Sequence, residues 1–412
     1  IDMESNKTIK NPPSPTFSLP WKRSAFISIV LFFTLSFEAF WVFLIGSYNS
    51  LISLLASLAM ATAFFIIYPP RNLALKKTDI AVFLALAIPP LYITAASILY
   101  QTSRPDILFF ILTTQVTTFI FAALLILSNN KTLAPEKTKA TFLKILFGIS
   151  AITIFSISVN TLSGSKHGVF NQNWVAIGIL FFILIWISGY TKTYQEFPRK
   201  KIAKVFAAAS AMAFILGSTG SFLTLIGLSV ITALNFLGTR SVVACLLLPP
   251  VILATTTYLF EVNLTSLNNL IVTILQLEPH VDLSSNRFTS WSQILEQYRL
   301  DPKTLIFGEG IDKVTSLYLD SKSSAHNYWL ETSYRVGITG SILILSPFVL
   351  AYLKIPRSAL AIKKTYALAF IAMILLGLFY DIGSFTHHQG TFFMKLFMAY
   401  LYSTSKPNHL QN

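Results

Sequence analysis

The chain has 412 residues, of which 54% are hydrophobic and only 12% are charged, and its formal net charge is +14. A soluble domain usually has about 25% charged residues, so this composition excludes an ordinary soluble protein. The apolar residues fall into repeated runs of about 20, the length that crosses a bilayer as a helix. The sequence therefore predicts an all-α polytopic membrane protein.

The predicted elements begin with a polar tail, residues 1–22, which we expect to be disordered. Nine membrane-spanning helices follow within residues 23–260, at about 25–46, 50–68, 80–100, 107–128, 142–160, 173–191, 202–218, 221–237 and 241–260. Three more lie within residues 338–405, at about 338–353, 366–380 and 389–403, before a short tail at 406–412. The sequence thus predicts twelve spans and one long connection, residues 261–337.

The positions of lysine and arginine predict the orientation of these spans. Basic residues cluster in alternate connections, at 22–23, 71–77, 131–139, 199–201, 240 and 354–364. Basic connections face the cytoplasm, so we expect both termini there and the 261–337 connection on the periplasmic side. This bias accounts for the net charge without any binding of nucleic acid.

The long connection is the place where we expect chemistry, because a loop of this length is usually functional or disordered. Within it Trp291, Ile294, Leu295 and Tyr298 recur at helical spacing. The pattern predicts an amphipathic helix, which we expect to lie on the membrane surface.

Residues 323–340, SSAHNYWLETSYRVGITG, stand out at the end of this connection. If residues 326–340 form one helix, His326, Ser333, Gly337 and Gly340 fall along one stripe. Small residues on a stripe let a neighbouring helix approach closely. On spacing alone, His326 is either an interfacial residue at a helix end or part of a site.

The order His326-Asn327, nine residues, Gly337, two residues and Gly340 resembles the His-(Asn/Ser/Gln)-x9-Gly-x2-(Gly/Thr/Tyr) signature of bacterial O-antigen ligases. These ligases belong to a wider superfamily of ligases and polymerases. Two other stretches are similar to that family: NRFTSWSQILEQYRLDPKTLIFGEG at 286–310, and GSKHGVFNQNWVAIG at 164–178. The likeness covers roughly residues 160–345.

The resemblance implies a GT-C-like glycosyltransferase that needs neither a metal nor a cofactor. Its donor would be a polysaccharide on undecaprenyl diphosphate, and its acceptor a sugar hydroxyl of lipid A core at the periplasmic face of the inner membrane. His326 and Arg287 match the family's histidine and arginine, and they are the predicted catalytic residues. The further candidates for donor binding are Lys166, His167, Asn173, Trp291, Asn327 and Arg240.

These residue types suit the chemistry. An arginine fork stabilises the charge on a diphosphate leaving group. A neutral His326 can take the proton from the acceptor hydroxyl, whereas an imidazolium can bind the diphosphate, and the sequence leaves both roles open.

The chain departs from the family at one place. Many members carry another arginine in a Ser-x-Ser-Arg-Gly-like segment before the large loop, where residues 217–223 here read GSTGSFL. Arg240 is either an ordinary cytoplasmic residue or, if the span count errs by one, the missing site residue. Lys166 is an alternative substitute cation, or a solvated loop lysine.

Other functions compete with the ligase. A polymerase of the same superfamily needs the same diphosphate site and differs in its acceptor, and some relatives transfer glycans to proteins. A transporter or lipid flippase would need charged residues or broken helices near the middle of the membrane, and inverted repeats.

Overall fold

The computed structural model of the chain describes most of its second half and one earlier helix. The described residues are 77–99, 172–215, 218–259, 287–310, 327–379 and single positions between 397 and 405. Within these ranges the chain is helical, and none of the residues described there forms a strand. The all-α prediction is confirmed to this extent.

The helices with described bounds follow one another with short turns between several of them. In chain order they are α1 (Lys77–Leu99), α2 (Gln172–Tyr194), α3 (Arg199–Ile215), α4 (Thr219–Ala233), α5 (Thr239–Leu259), α6 (Arg287–Leu300), α7 (Pro302–Phe307), α8 (Tyr328–Lys354) and α9 (Leu360–Phe379). A 3₁₀ turn, Arg357–Ala359, precedes α9.

Two stretches are long and apolar enough to cross a membrane: Trp329–Lys354 in α8, and Arg357–Leu378 in α9 with the turn before it. Shorter apolar stretches lie in α1, α2 and α4. The predicted spans at 25–46, 50–68, 107–128 and 142–160, and most of 389–403, lie outside the described residues. The total of twelve therefore stays a prediction.

The two long helices run antiparallel. Trp329, at the start of α8, donates from its indole Nε1 to the carbonyl of Ile374, near the end of α9, over 2.9 Å. Further along the pair, the hydroxyl of Tyr366 donates to the carbonyl of Phe348 over 3.0 Å. The start of α8 therefore lies beside the end of α9.

Helix α9 occupies the centre of the described bundle. Tyr366, Ala367, Phe370 and Ile371 are at most 1% exposed, and α2, α4, α5 and α8 all contact this helix. A helix that is apolar on every side is stable only when neighbours cover all of its faces. The core formed around α9 holds α8 in place.

Three connections with basic residues nearby meet at one end of this bundle. The Nζ of Lys364 lies 3.3 Å from Oδ1 of Asn235, in the turn after α4. The same ammonium lies 5.9 Å from the ring centroid of Phe197, between α2 and α3. The connections at 195–198, 234–238 and 355–359 are thus together, as the clustering of lysine and arginine predicts. We call this the basic end; the start of α8 lies at the opposite end.

Candidate functional site

Asn327 forms the start of α8. Its side-chain Oδ1 accepts hydrogen bonds from the backbone amides of Trp329 at 3.0 Å and Leu330 at 3.2 Å. Asparagine is among the best N-cap residues because its side chain satisfies amides that have no partner within the helix. Asn327 is only 7% exposed, so the cap supplies a hydrogen-bond acceptor to backbone amides that are shielded from water. The helix therefore begins immediately after His326-Asn327.

Helix α8 is interrupted at Gly337, whose φ of +70° and ψ of 177° are not helical. A Cβ at this position would collide with the backbone carbonyl of Ile306 at the end of α7. Only glycine combines a positive φ with such a close backbone approach at low cost. The first glycine of the signature thus marks a break at which α7 packs directly onto α8.

Neighbouring segments satisfy the carbonyl groups that the break releases. The carbonyls of residues 334, 335 and 336 accept hydrogen bonds from the amide of Glu309 at 2.8 Å, the amide of Gly310 at 3.1 Å and the hydroxyl of Tyr92 at 2.9 Å, respectively. In a membrane span, released carbonyls are tolerated only where protein or water satisfies them. Here the turn after α7 and a tyrosine of α1 do so.

The turn after α7, Gly308-Glu309-Gly310, has a backbone shape suited to this role. Gly308 and Gly310 have φ of +85° and +115°, and a Cβ at Gly308 would collide with the carbonyl of Arg335. Thr304 donates from its hydroxyl to the carboxylate of Glu309. The Gly-Glu-Gly sequence thus forms a turn that docks on α8.

The second glycine of the signature, Gly340, lies beneath α1. A Cβ there would stand 2.6 Å from Cε1 of Tyr92 and 2.6 Å from Cγ2 of Val336. Close approach of a neighbouring helix at Gly340 was predicted, and it is confirmed.

The structure differs in two respects from the single helix considered over 326–340. The helix begins at Tyr328, and it breaks at Gly337. Ser333 contacts Tyr298 of α6 and Gly337 contacts Ile306 of α7, so the two small residues face two different helices. The span expected at 338–353 corresponds to the part of α8 after the break, and α8 begins ten residues earlier, at Tyr328.

Helix α6 packs onto the first part of α8. The hydroxyl of Tyr298 lies 2.8 Å from Oγ of Ser333 and 3.2 Å from the carbonyl of Leu330. Ile294 and Tyr298 are fully buried in a cluster that includes Tyr334. The predicted helix and its apolar face are confirmed, but the face packs on α8 and α7, where the prediction had a membrane surface.

A buried ion pair joins two residues of α8, one of which lies one turn and the other two turns after the cap. Nη2 of Arg335 donates to Oε1 of Glu331 over 2.6 Å, and the two side chains are 8% and 7% exposed. Nε and Nη1 of Arg335 have no hydrogen-bond partner in the described structure. Sequence reasoning missed this pair, although an acid and a base four residues apart within an apolar run were the available signal.

The predicted site residues fall into two groups. His326, Lys166 and His167 lie outside the described residues. Arg287 is the first residue of α6, and Asn173 lies in the first turn of α2, both described by their backbone. Trp291 is partly buried against the cluster between α6 and α8, and Asn327 caps α8. The structure thus brings Trp291 and Asn327 onto adjoining helices.

Arg240 lies far from Asn327. It is exposed in the first turn of α5 at the basic end, close to Leu237, whose carbonyl accepts from the hydroxyl of Tyr352 at 3.4 Å. Tyr352 and Asn327 are near opposite ends of α8, about 35 Å apart at 1.5 Å per residue. This position is the one expected of an ordinary basic residue in a connection, and the alternative role of Arg240 as the missing site residue stays a prediction.

Comparison with known proteins adds no family assignment: no family model matches the chain, and no curated protein matches it. The site is therefore argued from its own residues. Among the described residues no group of three His, Cys, Asp or Glu side chains is placed to hold a metal ion. What the described part provides is a capped, broken helix whose first segment carries a buried arginine and contacts α6.

Proposed function

We propose that this chain is a multi-pass glycosyltransferase of the bacterial inner membrane, similar to O-antigen ligases. Its donor is a polysaccharide on undecaprenyl diphosphate, and its acceptor is a sugar hydroxyl of lipid A core at the periplasmic face. The observation that carries the proposal is that Asn327, Gly337 and Gly340 each have a separate structural role, namely the cap, the break and the close approach. If the chain matched the motif only by chance, we would not expect each of these three residues to have its own structural role.

In the proposed reaction the acceptor oxygen bonds to the anomeric carbon of the donor sugar while the bond from that carbon to the diphosphate oxygen breaks. Undecaprenyl diphosphate leaves with the bonding electron pair. Arg287 stabilises the charge that develops on the diphosphate. His326 either takes the acceptor proton as a neutral base or binds the diphosphate as an imidazolium.

The position of α6 supports the pairing of these two residues. Arg287 is the first residue of α6, and α6 packs through Tyr298 onto the helix that begins just after His326 and Asn327. Arg287 thus lies on a helix that contacts the helix beginning two residues after His326 in the sequence.

A polymerase that extends a lipid-linked glycan is the alternative within the same chemistry. The ligase and the polymerase differ in their products, so analysis of the lipopolysaccharide from a null strain distinguishes between them. Loss of all long chains on lipid A, while lipid-linked polymer accumulates, supports the ligase. Loss of the polymer itself, with single repeat units remaining, supports the polymerase.

A transporter is the candidate from another class, and two observations favour it: the break at Gly337 and the buried Glu331–Arg335 pair. Transporters use broken helices because the released carbonyls coordinate ions. Here the carbonyls of residues 334, 335 and 336 already accept hydrogen bonds from the protein. The break therefore serves docking of the Gly-Glu-Gly turn, which favours the glycosyltransferase.

The direct test is glycan transfer by the purified full chain, supplied with lipid-linked donor and lipid A core. We expect His326→Ala and Arg287→Ala each to lower the rate by about 10²–10³-fold, the usual cost of losing a charge-stabilising donor. Arg287→Lys should restore little, because an ammonium cannot reproduce the guanidinium fork. Activity should persist in EDTA.

The matched control is Arg299→Ala, which removes an exposed arginine from the same helix, α6. It should transfer glycan at the wild-type rate. Near-normal transfer by His326→Ala, or activity restored only by magnesium or manganese, would overturn the mechanism.

A further inference from the structure

The outer face of α3 is basic at its start and apolar along the rest of its length. Lys201 and Lys204 are exposed, and they begin a stripe that continues at helical spacing through Ala208, Met212 and Ile215. Met212 and Ile215 are 55% and 82% exposed, while a different face of α3 is buried where the helix contacts α2 and α4. The stripe, residues 201, 204, 208, 212 and 215, is therefore an amphiphilic surface with its two cations at the basic end.

The two lysines of this stripe have no acidic partner among the described residues. Neither Lys201 nor Lys204 forms an ion pair in the part of the chain that the structure describes, and the first turn of α3 contains no acidic residue. Like charges three or four residues apart on one helix repel each other. An anion bound between the two ammonium groups would remove this repulsion.

Aromatic residues of α2 fix the position of the first lysine. The Nζ of Lys201 lies 5.5 Å from the ring centroid of Trp186 and 5.3 Å from that of Tyr190, which are cation–π distances. Tyr194, one turn further along α2, packs on Tyr190 with ring centroids 4.5 Å apart and is 61% exposed. Tryptophan and tyrosine are enriched at the level of the lipid headgroups. Lys201 is thus held beside rings of the type that mark this level.

The length of the stripe fits the acyl chains of one leaflet. Lys204 and Ile215 are about 16 Å apart along the axis of α3, at 1.5 Å per residue. Half of the hydrocarbon thickness of a bilayer is about 15 Å. A lipid whose headgroup lies at the two lysines therefore has chains long enough to cover the apolar part of the stripe.

We propose that this stripe binds an anionic phospholipid of the surrounding bilayer. Lys201 and Lys204 contact the phosphate oxygens, and an acyl chain lies along Ala208, Met212 and Ile215. Basic residues near the ends of membrane-spanning helices attract anionic headgroups, and here two of them are placed directly above an exposed apolar face. The proposal does not depend on the transfer of glycan.

The competing explanation is that these lysines only orient the chain in the membrane, as basic residues in connections do. Orientation depends on charge near the ends of the spans and not on one particular pair of lysines. Under this explanation Lys201 and Lys204 are equivalent to Lys354 and Arg357, which are exposed in the connection between α8 and α9. A bound lipid would distinguish the two pairs.

The test is native mass spectrometry of the purified full chain in a neutral detergent, titrated with phosphatidylglycerol or with phosphatidylcholine. We expect the wild type to bind phosphatidylglycerol more tightly. Each lysine near an anionic headgroup contributes roughly fivefold in affinity, so Lys201→Gln/Lys204→Gln should bind phosphatidylglycerol at least about tenfold more weakly. Its binding of phosphatidylcholine should be unchanged.

Two further variants are the controls. Lys354→Gln/Arg357→Gln removes the same charge from exposed positions at the same end of the bundle, and it should keep the wild-type affinity for phosphatidylglycerol. Lys201→Arg/Lys204→Arg keeps both charges and should also bind as the wild type does. Thermal unfolding without added lipid establishes that each variant is folded. If the double glutamine variant is unfolded, Lys201→Gln and Lys204→Gln are measured singly, each with an expected loss of roughly fivefold.

The outcomes separate the two explanations. Equal loss of affinity in the two double glutamine variants would show that only the total charge of the basic end matters, and would overturn the site. A wild type without preference for phosphatidylglycerol, or unchanged affinity in folded Lys201→Gln and Lys204→Gln, would do the same. Displacement of bound phosphatidylglycerol by millimolar inorganic phosphate identifies a site for free anions and overturns the lipid assignment, whereas retention of the lipid supports it.

Discussion

The hydroxyl of Tyr298 lies 2.8 Å from Oγ of Ser333, and this contact joins the helix that begins at Arg287 to the helix capped by Asn327. Both oxygens are buried, so water does not readily replace either partner when it is removed. Together with the packing of Ile294 and Tyr334 in the same cluster, this hydrogen bond holds the two helices against each other.

Removing that hydroxyl should loosen the contact between the helices. We expect Tyr298→Phe to lower the free energy of unfolding by about 1 kcal/mol, the usual net value of one hydrogen bond, while the ring keeps its packing. Paired with Ser333→Ala in a double-mutant cycle, it should show a coupling of at least about 0.5 kcal/mol, as neighbours in contact do. Thermal unfolding in detergent is the measurement, with Tyr194→Phe at an exposed position as the control. Strict additivity of the two substitutions would refute the link.

The break in α8 gives the sharpest prediction about stability. Gly337→Ala forces a side chain into a positive φ and against the carbonyl of Ile306, so we expect a loss of at least about 2 kcal/mol. Gly189→Ala is the matched control, because nothing lies within 4 Å of its added Cβ and alanine favours a helix. It should leave the unfolding temperature unchanged or raise it. A Gly337→Ala protein as stable as the control would show that the helix is continuous there.

The cap of α8 should tolerate some residues and reject others. Asn327→Ser and Asn327→Asp keep an oxygen for the amides of Trp329 and Leu330, so both should retain nearly all stability. Asn327→Ala should cost about 1 kcal/mol. Thermal unfolding measures the cost, and glycan transfer by the serine variant tests whether the cap is all that this position requires. A stable but inactive serine variant would assign the amide a direct contact with substrate.

The orientation of the bundle is tested by cysteine labelling. In a Cys245→Ala background, a single cysteine is placed at Ser284 or Ser323 of the long connection, or at Ser358 of the basic end, which is exposed. In intact spheroplasts an impermeant maleimide should label the first two and leave Ser358→Cys unlabelled until the membrane is opened. Labelling at Ser358 with protection at both other positions would invert the topology and move the site to the cytoplasm.

Local patterns in the sequence were sufficient to predict individual helices. The face containing Trp291, Ile294 and Tyr298 predicts α6 because its spacing is helical along the whole segment. The lysines and arginines predict a basic end because their charge alone decides which connections lie together. These inferences need no knowledge of what packs against what.

The break at Gly337 could not be predicted in this way. The residues around it, from Tyr328 to Lys354, continue a helical pattern, and glycine by itself is compatible with a helix. The partners of the released carbonyls come from Glu309, Gly310 and Tyr92, which are distant in sequence. The spacing of Glu331 and Arg335 was a signal for the ion pair, but the burial of the pair depends on what surrounds the first part of α8.

The bond from Tyr92 to the carbonyl of Val336 spans 244 residues, and this separation has a consequence for biosynthesis. At about 5–20 residues per second, the ribosome makes Val336 roughly 10–50 seconds after Tyr92. During that interval the carbonyl to which the Tyr92 hydroxyl later donates has not yet been made. When α8 forms, the carbonyls released at its break find hydrogen-bond donors only if α1 and the turn after α7 already lie beside it. A chain that loses α1 should therefore leave the carbonyl of Val336 without this partner, and we expect it to be degraded faster than the full chain although the sequence of α8 is intact.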